Sequence, residues 1–120
     1  MARDLSFPRT KRLTLPAEFH RVRKEGEVFR GKLLSIGVLR NADPFRAGFV
    51  ISRALGGAVV RNRVRRRLRE IVRQHQGEIS DAVWIVTIAR ASAADADDFE
   101  QLEVEWLRLA KRASILATPC

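Results

Sequence analysis

Arginine is concentrated in one short segment of this chain of 120 residues. Seven arginines and a single acid, Glu70, occupy the thirteen positions from Arg61 to Arg73. A planar guanidinium can bind two phosphate oxygens at once and can stack on a base, whereas a lysine ammonium acts as a point charge. One carboxylate cannot neutralise seven cations, so the segment predicts a binding surface for a polyanion rather than an internally paired face. A solvated basic face, the usual explanation for a run of charges, is the alternative.

The same segment has the apolar spacing of an amphipathic helix. After Gly56 and Gly57, apolar residues recur at positions 60, 64, 68, 71 and 72, which share one face of a helix. The opposite face is predicted to carry Asn62, Arg65, Arg66, Arg69 and Arg73, with Arg61, Arg63 and Arg67 nearer its margins. Like charges three or four positions apart repel one another by about 0.2–0.5 kcal/mol. The arginines therefore reduce the stability of the helix, which favours a binding role for them.

The arginine segment resembles the signature of a known family. The run from Gly56 to Arg73, GGAVVRNRVRRRLREIVR, is similar to the signature of the bacterial ribonuclease P protein subunit. Its core and its following basic and acidic positions are matched by Arg61, Asn62, Arg63, Arg65, Arg66, Arg69, Glu70 and Arg73. Further matches are Arg12-Leu13, Glu18-Phe19, GFVISR at positions 48–53 and IVTIAR at positions 85–90. The resemblance therefore covers nearly the whole chain.

The resemblance implies a subunit of an RNA-based endoribonuclease. In this family a catalytic RNA, with Mg²⁺ bound mainly by that RNA and the substrate, hydrolyses precursor tRNA to release its 5′ leader, and the protein supports it. The implied contacts with the catalytic RNA are Arg61, Asn62, Arg63, Arg65, Arg66, Arg69 and Arg73. The implied cleft for the precursor tRNA leader is formed by Phe19, Arg23, Arg53 and Arg90. No obligate protein partner is implied.

The chain departs from the family pattern around this implied cleft. Arg23 stands where the family often has a second aromatic residue, and Ala54 stands where it has a second basic residue. The chain has no tyrosine at all, and Gly57 replaces a common asparagine. Arg23 and the lack of tyrosine predict a cleft in which stacking is weaker and, at Arg23, charge is stronger, whereas Ala54 and Gly57 weaken the predicted contacts just before the arginine helix.

The predicted leader residues also have simpler interpretations. Phe19 lies on the apolar side of a short helix, where an aromatic ring is commonly part of the core. Arg53 lies in a loop and Arg90 ends an apolar strand, so both are equally consistent with solvent-exposed charges. The sequence leaves both interpretations open.

Apolar patterns on either side of the arginine helix predict the elements that position it. Thr14 and Pro16 indicate the start of a first helix and Gly26 its end. Short runs at 28–29, 33–39 and 45–52 predict three strands of a meander, with a turn at 41–44. The continuously apolar run 82–89 predicts a central strand. Apolar residues from 99 to 113 predict a last helix, with Glu103 and Glu105 on or near its outer side.

The predicted fold is α/β, a two-layer α+β sandwich ordered α-β-β-β-α-β-α with a four-stranded sheet. A strand, a helix and a further strand in succession suggest a β-α-β crossover. General rules favour a right-handed crossover. The left-handed one found in ribosomal protein S5 domain 2-like folds is implied here only by the family resemblance.

Charge and cysteine content indicate where the protein acts. Residues 1–73 carry 19 basic and 6 acidic side chains, a net charge of +13, whereas residues 74–120 carry 4 and 8, a net charge of −4. We predict a single domain over residues 1–120, of which 1–13 form a basic, partly flexible arm. Cys120 is the only cysteine and no apolar run approaches a membrane span, so we expect a cytoplasmic protein with no membrane partner.

The residue pattern predicts neither a catalytic side chain nor a metal site in the protein itself. There is no phosphate-binding glycine loop and no nucleophile with an orienting base, and Asp95, Asp97 and Asp98 are placed as partners of a helix dipole. A non-enzymatic RNA-binding protein of ribosomal type would share these features and remains the alternative. A helix-turn-helix DNA binder would need a helix before the arginine helix, where residues 45–52 resemble a strand.

Overall fold

The computed structural model describes residues 12–40, 44–79, 82–95 and 99–115. Its helices and strands are α1 Pro16–Glu25, β1 Glu27–Arg30, β2 Leu34–Arg40, β3 Arg46–Ile51, α2 Ala58–His75, β4 Val83–Ala89 and α3 Phe99–Arg112. The predicted α/β class and element order are confirmed. Predictions for residues 1–11, the turn at 41–43, Asp97, Asp98 and Cys120 lie outside the described residues. The division into one domain and an arm stays a prediction.

The four strands form one sheet in the order β1-β2-β4-β3. β4 is antiparallel to β2 and parallel to β3. The predicted three-strand meander is therefore wrong beyond the β1-β2 hairpin, because β4 is inserted between β2 and β3. α2 connects the parallel strands β3 and β4, which confirms the predicted β-α-β crossover, whereas its handedness stays a prediction.

β4 occupies the centre of the sheet because both of its faces are apolar. Val83 and Ile85 belong to a core cluster with residues of α2 and α3, and Trp84 and Val86 belong to a second cluster with Val22 of α1. The sheet is therefore covered by α2 and α3 on one side and by α1 on the other. α2 is the longest described helix, and none of the helices in the described ranges could span a bilayer.

Glu105 of α3 is buried, so the prediction that it lies near the outer side of the helix is wrong. Its carboxylate accepts hydrogen bonds from the backbone N–H groups of Lys32 at 3.0 Å, Leu33 at 2.5 Å and Leu34 at 2.8 Å. Arg108 donates a further hydrogen bond at 2.8 Å. The turn between β1 and β2 and the first residue of β2 present these three N–H groups towards α3, and a buried donor needs an acceptor.

The first turn of α1 is closed by the side chain of Glu18 and not by that of Thr14, which the sequence indicated at the start of this helix. Oε1 of Glu18 accepts hydrogen bonds from the N–H groups of Thr14 at 3.0 Å and Leu15 at 2.9 Å. Leu15 precedes the helix and Pro16 is its first residue, as the fixed backbone angle of proline favours.

Candidate nucleic-acid interface

The turn from β3 into α2 fixes where the arginine helix begins. The Ser52 hydroxyl accepts a hydrogen bond from the N–H of Ala54 at 3.1 Å, and residues Arg53–Leu55 form a single 3-10 turn. Gly56 then has a φ of 134°, which side chains other than glycine rarely allow. This 3-10 turn and Gly56 connect the end of β3 at Ile51 to the start of α2 at Ala58.

The buried side of α2 agrees with its predicted apolar stripe. Val64, Leu68, Ile71 and Val72 are buried, and Val60 is partly buried. The remaining surface carries the arginines in two rows that follow the i, i+3, i+4 spacing of a helix. We call positions 65 and 69 the cleft row, and positions 63, 66, 70 and 73 the outer row.

Arg65 and Arg69 of the cleft row line a cleft of about 230 Å³ between α1, β3 and α2. Among the described residues, its lining is Arg12, Leu13, Thr14, Phe19, Ala47, Gly48, Phe49, Arg65 and Arg69. Three of these residues are arginines, two are phenylalanines and none is an acid. Guanidinium groups beside aromatic rings suit a single-stranded nucleic acid, whose phosphates need cations and whose bases need a stacking surface.

One wall of the cleft is formed where the chain before α1 extends the edge of β3. Arg12 makes a parallel bridge with Ala47, and the N–H of Leu13 donates to the carbonyl of Ala47 at 2.9 Å. Leu13 is buried beneath this edge. The bridge brings Arg12 to the cleft, a position that the sequence suggested only through its family match.

The cleft arginines form a concentrated positive charge. Burial, together with the positive charges of Arg12 and Arg65, lowers the pKa of the Arg69 guanidinium. Such a shift means that the charged form is disfavoured by its surroundings. An anion in the cleft would relieve the mutual repulsion of the three guanidinium groups.

An ion pair holds α1, and with it Phe19, against β3. Nη1 of Arg46 lies 2.5 Å from Oε2 of Glu18 in a largely buried contact. Burial raises the pKa of Glu18, but the N–H groups of Leu15 and Thr14 and the charge of Arg46 outweigh it, so the net pKa is lowered. Arg46 and Arg21 also lie over the Trp84 ring, at 5.6 Å and 5.4 Å from its centroid. The ion pair and the contacts with Trp84 therefore fix the side of the cleft that carries Phe19.

The structure separates the four residues predicted to form the leader cleft. Phe19 lines the cleft, whereas Arg23 is exposed on α1 outside its lining. Arg53 and Arg90 are exposed at one end of the sheet, because Ile51 of β3 pairs with Ala89 of the parallel strand β4. The roles of Arg23, Arg53 and Arg90 in leader binding stay predictions.

The residues predicted to contact the catalytic RNA all lie on α2, but on different sides of it. Arg65 and Arg69 line the same cleft as Phe19, and Arg63, Arg66 and Arg73 belong to the outer row. Asn62 is exposed between the rows, and Arg61 is half-buried beside the core. α2 therefore presents cations in two directions. The sequence did not predict this division, because it depends on where α1 and β3 pack against the helix.

Comparison with known proteins assigns the family. A family model described as Ribonuclease P matches residues 7–114. This chain belongs to the ribonuclease P protein family. The ribonuclease P protein component of Clostridioides difficile is 39% identical over 113 residues, which cover 92% of this chain and 98% of that protein. The ribonuclease P protein component of Roseiflexus castenholzii is 38% identical over 109 residues, which cover 90% and 89%.

Solved ribonuclease P proteins have the same fold. The Staphylococcus aureus protein matches with a TM-score of 0.81 at 30% identity, over 88% of this chain and 97% of that structure. The Thermotoga maritima protein matches with a TM-score of 0.77 at 31% identity, over 84% and 96%. The chain is therefore a protein subunit of ribonuclease P, an endoribonuclease of tRNA processing.

Proposed function

We propose that this subunit binds two RNA partners through the two rows of α2. The outer row and the start of the helix contact the catalytic RNA of ribonuclease P. The cleft row, together with Phe19 and Arg12, holds the single-stranded 5′ leader of precursor tRNA, which replaces the expectation from sequence that Arg65 and Arg69 contact the catalytic RNA. Simultaneous contact with both partners places the leader beside the RNA that cleaves the substrate.

The observation that carries this proposal is the composition of the cleft. The part of its lining that the structure describes combines three guanidinium groups with two aromatic rings and includes no carboxylate. Phosphates of an extended strand can lie along Arg12, Arg65 and Arg69, while a base stacks on Phe19. Arginine is suited to this role because its planar group binds phosphate oxygens in pairs.

In this proposal the catalytic RNA performs the hydrolysis, and the protein contributes positioning and charge neutralisation. Mg²⁺ prefers several oxygen ligands, which the described lining of the cleft does not supply as carboxylates. We therefore assign the metal to the RNA component and the substrate. The arginines of α2 replace counterions around phosphates, which lets two polyanions approach each other.

The reconstituted reaction tests the subunit role directly. A 5′-labelled precursor tRNA is incubated at limiting Mg²⁺ with a cognate bacterial ribonuclease P RNA, with the protein, and with both. We expect release of the leader at the mature 5′ end only when both are present. If the protein gives no gain, general RNA binding of a ribosomal type explains the charge better.

Leader recognition is tested separately by comparing substrates. The holoenzyme should bind a precursor with a leader of several nucleotides more tightly than mature tRNA. Phe19→Ala should reduce this difference by roughly five- to 160-fold, the range for loss of one base stacked on an aromatic ring at about 1–3 kcal/mol. Binding of mature tRNA provides the control, because it has no leader to occupy the cleft. An unchanged difference would remove Phe19 from the leader site.

A further inference from the structure

Glu70 is the single acid in the arginine segment, and it lies inside the outer row rather than at its margin. Positions 66, 70 and 73 follow one another at helical spacing on the same side of α2. A carboxylate in this position repels the phosphates that the neighbouring arginines attract. Its presence in the middle of a surface proposed to bind RNA therefore requires a specific role.

The carboxylate of Glu70 holds one particular arginine by two hydrogen bonds. Nε of Arg73 donates to Oε2 at 2.9 Å, and Nη2 of Arg73 donates to Oε1 at 2.5 Å. Nε2 of Gln74 also donates to Oε1 at 3.0 Å. Two parallel hydrogen bonds fix the plane of a guanidinium, which a single bond or a simple charge attraction does not.

The protonation behaviour of the two groups agrees with this geometry. The hydrogen bonds from Arg73 lower the pKa of Glu70, even though burial raises it, and the bond from Gln74 lowers it further. The hydrogen bonds to Glu70 raise the pKa of Arg73. Both groups therefore remain charged, and the pair carries no net charge towards RNA.

We propose, on the basis of the function proposed above, that Glu70 is a positioning residue for RNA binding. It holds the guanidinium plane of Arg73 in the orientation that receives a phosphate of the catalytic RNA. A preorganised guanidinium loses less side-chain freedom on binding than a mobile one. The gain from orientation exceeds the repulsion between the carboxylate and the phosphate.

Replacing Glu70 by glutamine separates the effect of Arg73 orientation from the effect of charge, because the two change the affinity for RNA in opposite directions. Glu70→Gln adds one positive charge to the helix, so an effect of charge alone tightens RNA binding and increases the salt dependence by about one phosphate contact. Loss of orientation weakens binding. We expect affinity for the catalytic RNA to fall by about three- to tenfold, with no increase in the slope against salt concentration.

Glu25→Gln is the matched control. Glu25 also forms an ion pair on a helix surface, with Arg21 at 3.1 Å, but it lies on α1 away from the outer row. Glu25→Gln should leave affinity for the catalytic RNA within about twofold of the unaltered protein, the scale of a change at a site that contacts no phosphate. Circular dichroism and thermal unfolding of each variant establish that the helix is intact.

Variants of Arg73 show whether Glu70 acts through it. In an Arg73→Ala background, Glu70→Gln should weaken binding no further, because the oriented group is gone. Arg73→Lys keeps the charge without the planar fork, and should weaken binding as Glu70→Gln does. Tighter binding by Glu70→Gln, or an equal loss in the Arg73→Ala background, would overturn the proposal.

Measurements on the unaltered protein distinguish failure of this proposal from failure of the proposed function on which it rests. If the unaltered protein binds the catalytic RNA and stimulates cleavage while Glu70→Gln and Arg73→Lys match it, only the role of Glu70 is wrong. If the unaltered protein gives no stimulation with a cognate RNA, the proposed function itself fails.

Discussion

The ring of Phe19 lies directly against the backbone of Gly48. A Cβ atom added at Gly48 would come within 2.6 Å of Cε1 and 2.7 Å of Cζ of the ring. Non-bonded carbon atoms prefer separations of about 3.5–4.0 Å. β3 therefore forms a floor on which the aromatic ring rests, and any side chain at position 48 would displace the ring.

Gly48→Ala should weaken leader binding without removing any group that contacts RNA. The added methyl group moves the Phe19 ring, so we expect affinity of the holoenzyme for precursor tRNA to fall several-fold and that for mature tRNA to stay constant. The free energy of unfolding should fall by about 1–2 kcal/mol because of overpacking. Fluorescence titration with both substrates and urea denaturation measure the two effects.

The Phe19→Ala background provides the control for Gly48→Ala. With the ring removed, most of the loss in unfolding free energy caused by Gly48→Ala should disappear, because the clash is mainly with Cε1 and Cζ. A loss of the same size in both backgrounds would mean that Leu13, whose Cβ lies 3.0 Å from the added atom, is the group displaced.

Arg65→Ala should weaken binding of precursor tRNA by the holoenzyme, because the cleft row is proposed to hold its leader. The fold should stay at least as stable. Arg65 and Arg69 are one turn apart in the cleft row, and their mutual repulsion contributes to the lowered pKa of Arg69. We expect the slope of log affinity against log salt to fall by about one phosphate contact. The free energy of unfolding should stay equal or rise by about 0.2–0.5 kcal/mol.

Lys111→Ala is the control for this change in salt dependence. Lys111 is exposed near the end of α3, outside both rows of α2, so its removal lowers the net charge by the same amount. Its slope should match that of the unaltered protein. An unchanged slope for Arg65→Ala would remove Arg65 from the RNA interface.

Local patterns were sufficient to predict most of the elements but not how they pair. The apolar spacing of α2 predicted its buried face, since periodicity within one helix reports which side meets the core. The insertion of β4 between β2 and β3 could not be predicted in the same way. Strand order depends on contacts between segments distant in sequence, and consecutive strands pair often enough to favour the meander.

The candidate site shows the same difference between local and distant information. The arginine content of α2 is by itself sufficient to indicate a polyanion partner. The proximity of Phe19 to Arg65 and Arg69 depends on α1 packing across β3, which no spacing within α2 reveals. Glu105 was predicted to lie outside for a related reason, because the N–H groups that bind it belong to the turn between β1 and β2 and to the start of β2, which are distant in sequence.

Glu105→Gln should destabilise the fold although it preserves the size of the side chain. The amide group replaces one acceptor oxygen by a donor, which then faces the backbone N–H groups that donate to the carboxylate in the unaltered protein. We expect the free energy of unfolding to fall by about 2–3 kcal/mol, as for buried donors left without an acceptor. Urea denaturation at neutral pH measures the change.

Glu100→Gln is the control for Glu105→Gln, because it makes the same chemical change at an exposed position of the same helix. It should alter the free energy of unfolding by less than about 0.5 kcal/mol. If Glu105→Gln were equally mild, the three hydrogen bonds to Glu105 would contribute little to stability.

His75, the last residue of α2, contacts a carboxylate through each of its ring nitrogens, and one of these carboxylates belongs to α3. Nδ1 lies 2.5 Å from Oε2 of Glu78, and Nε2 lies 2.9 Å from Oε2 of Glu103. The imidazole also stacks on Trp106, with ring centroids 6.3 Å apart. Only the protonated ring can donate to both carboxylates, since neutral imidazole has a single N–H.

Stability should therefore decrease as pH rises above neutrality. Burial lowers the pKa of His75, but the hydrogen bonds to Glu78 and Glu103 outweigh it, so the folded-state pKa is raised above 6.5. The stabilisation is fully present below the unfolded pKa of about 6.5 and is lost as pH rises through the folded-state pKa. Its slope cannot exceed about 1.4 kcal/mol per pH unit, the value for one proton.

This contribution is the difference in unfolding free energy between the unaltered protein and His75→Gln. Urea denaturation measures it between about pH 5.5 and pH 9, a range that brackets the titration of histidine. The difference in unfolding free energy should be largest at the acidic end and should shrink with rising pH, because glutamine does not titrate. His20→Gln, a substitution at an exposed position of α1, is the control for removal of a histidine. A difference that is constant with pH would mean that His75 stabilises the fold by packing against Trp106 alone. The two carboxylates would then contribute nothing that depends on its charge.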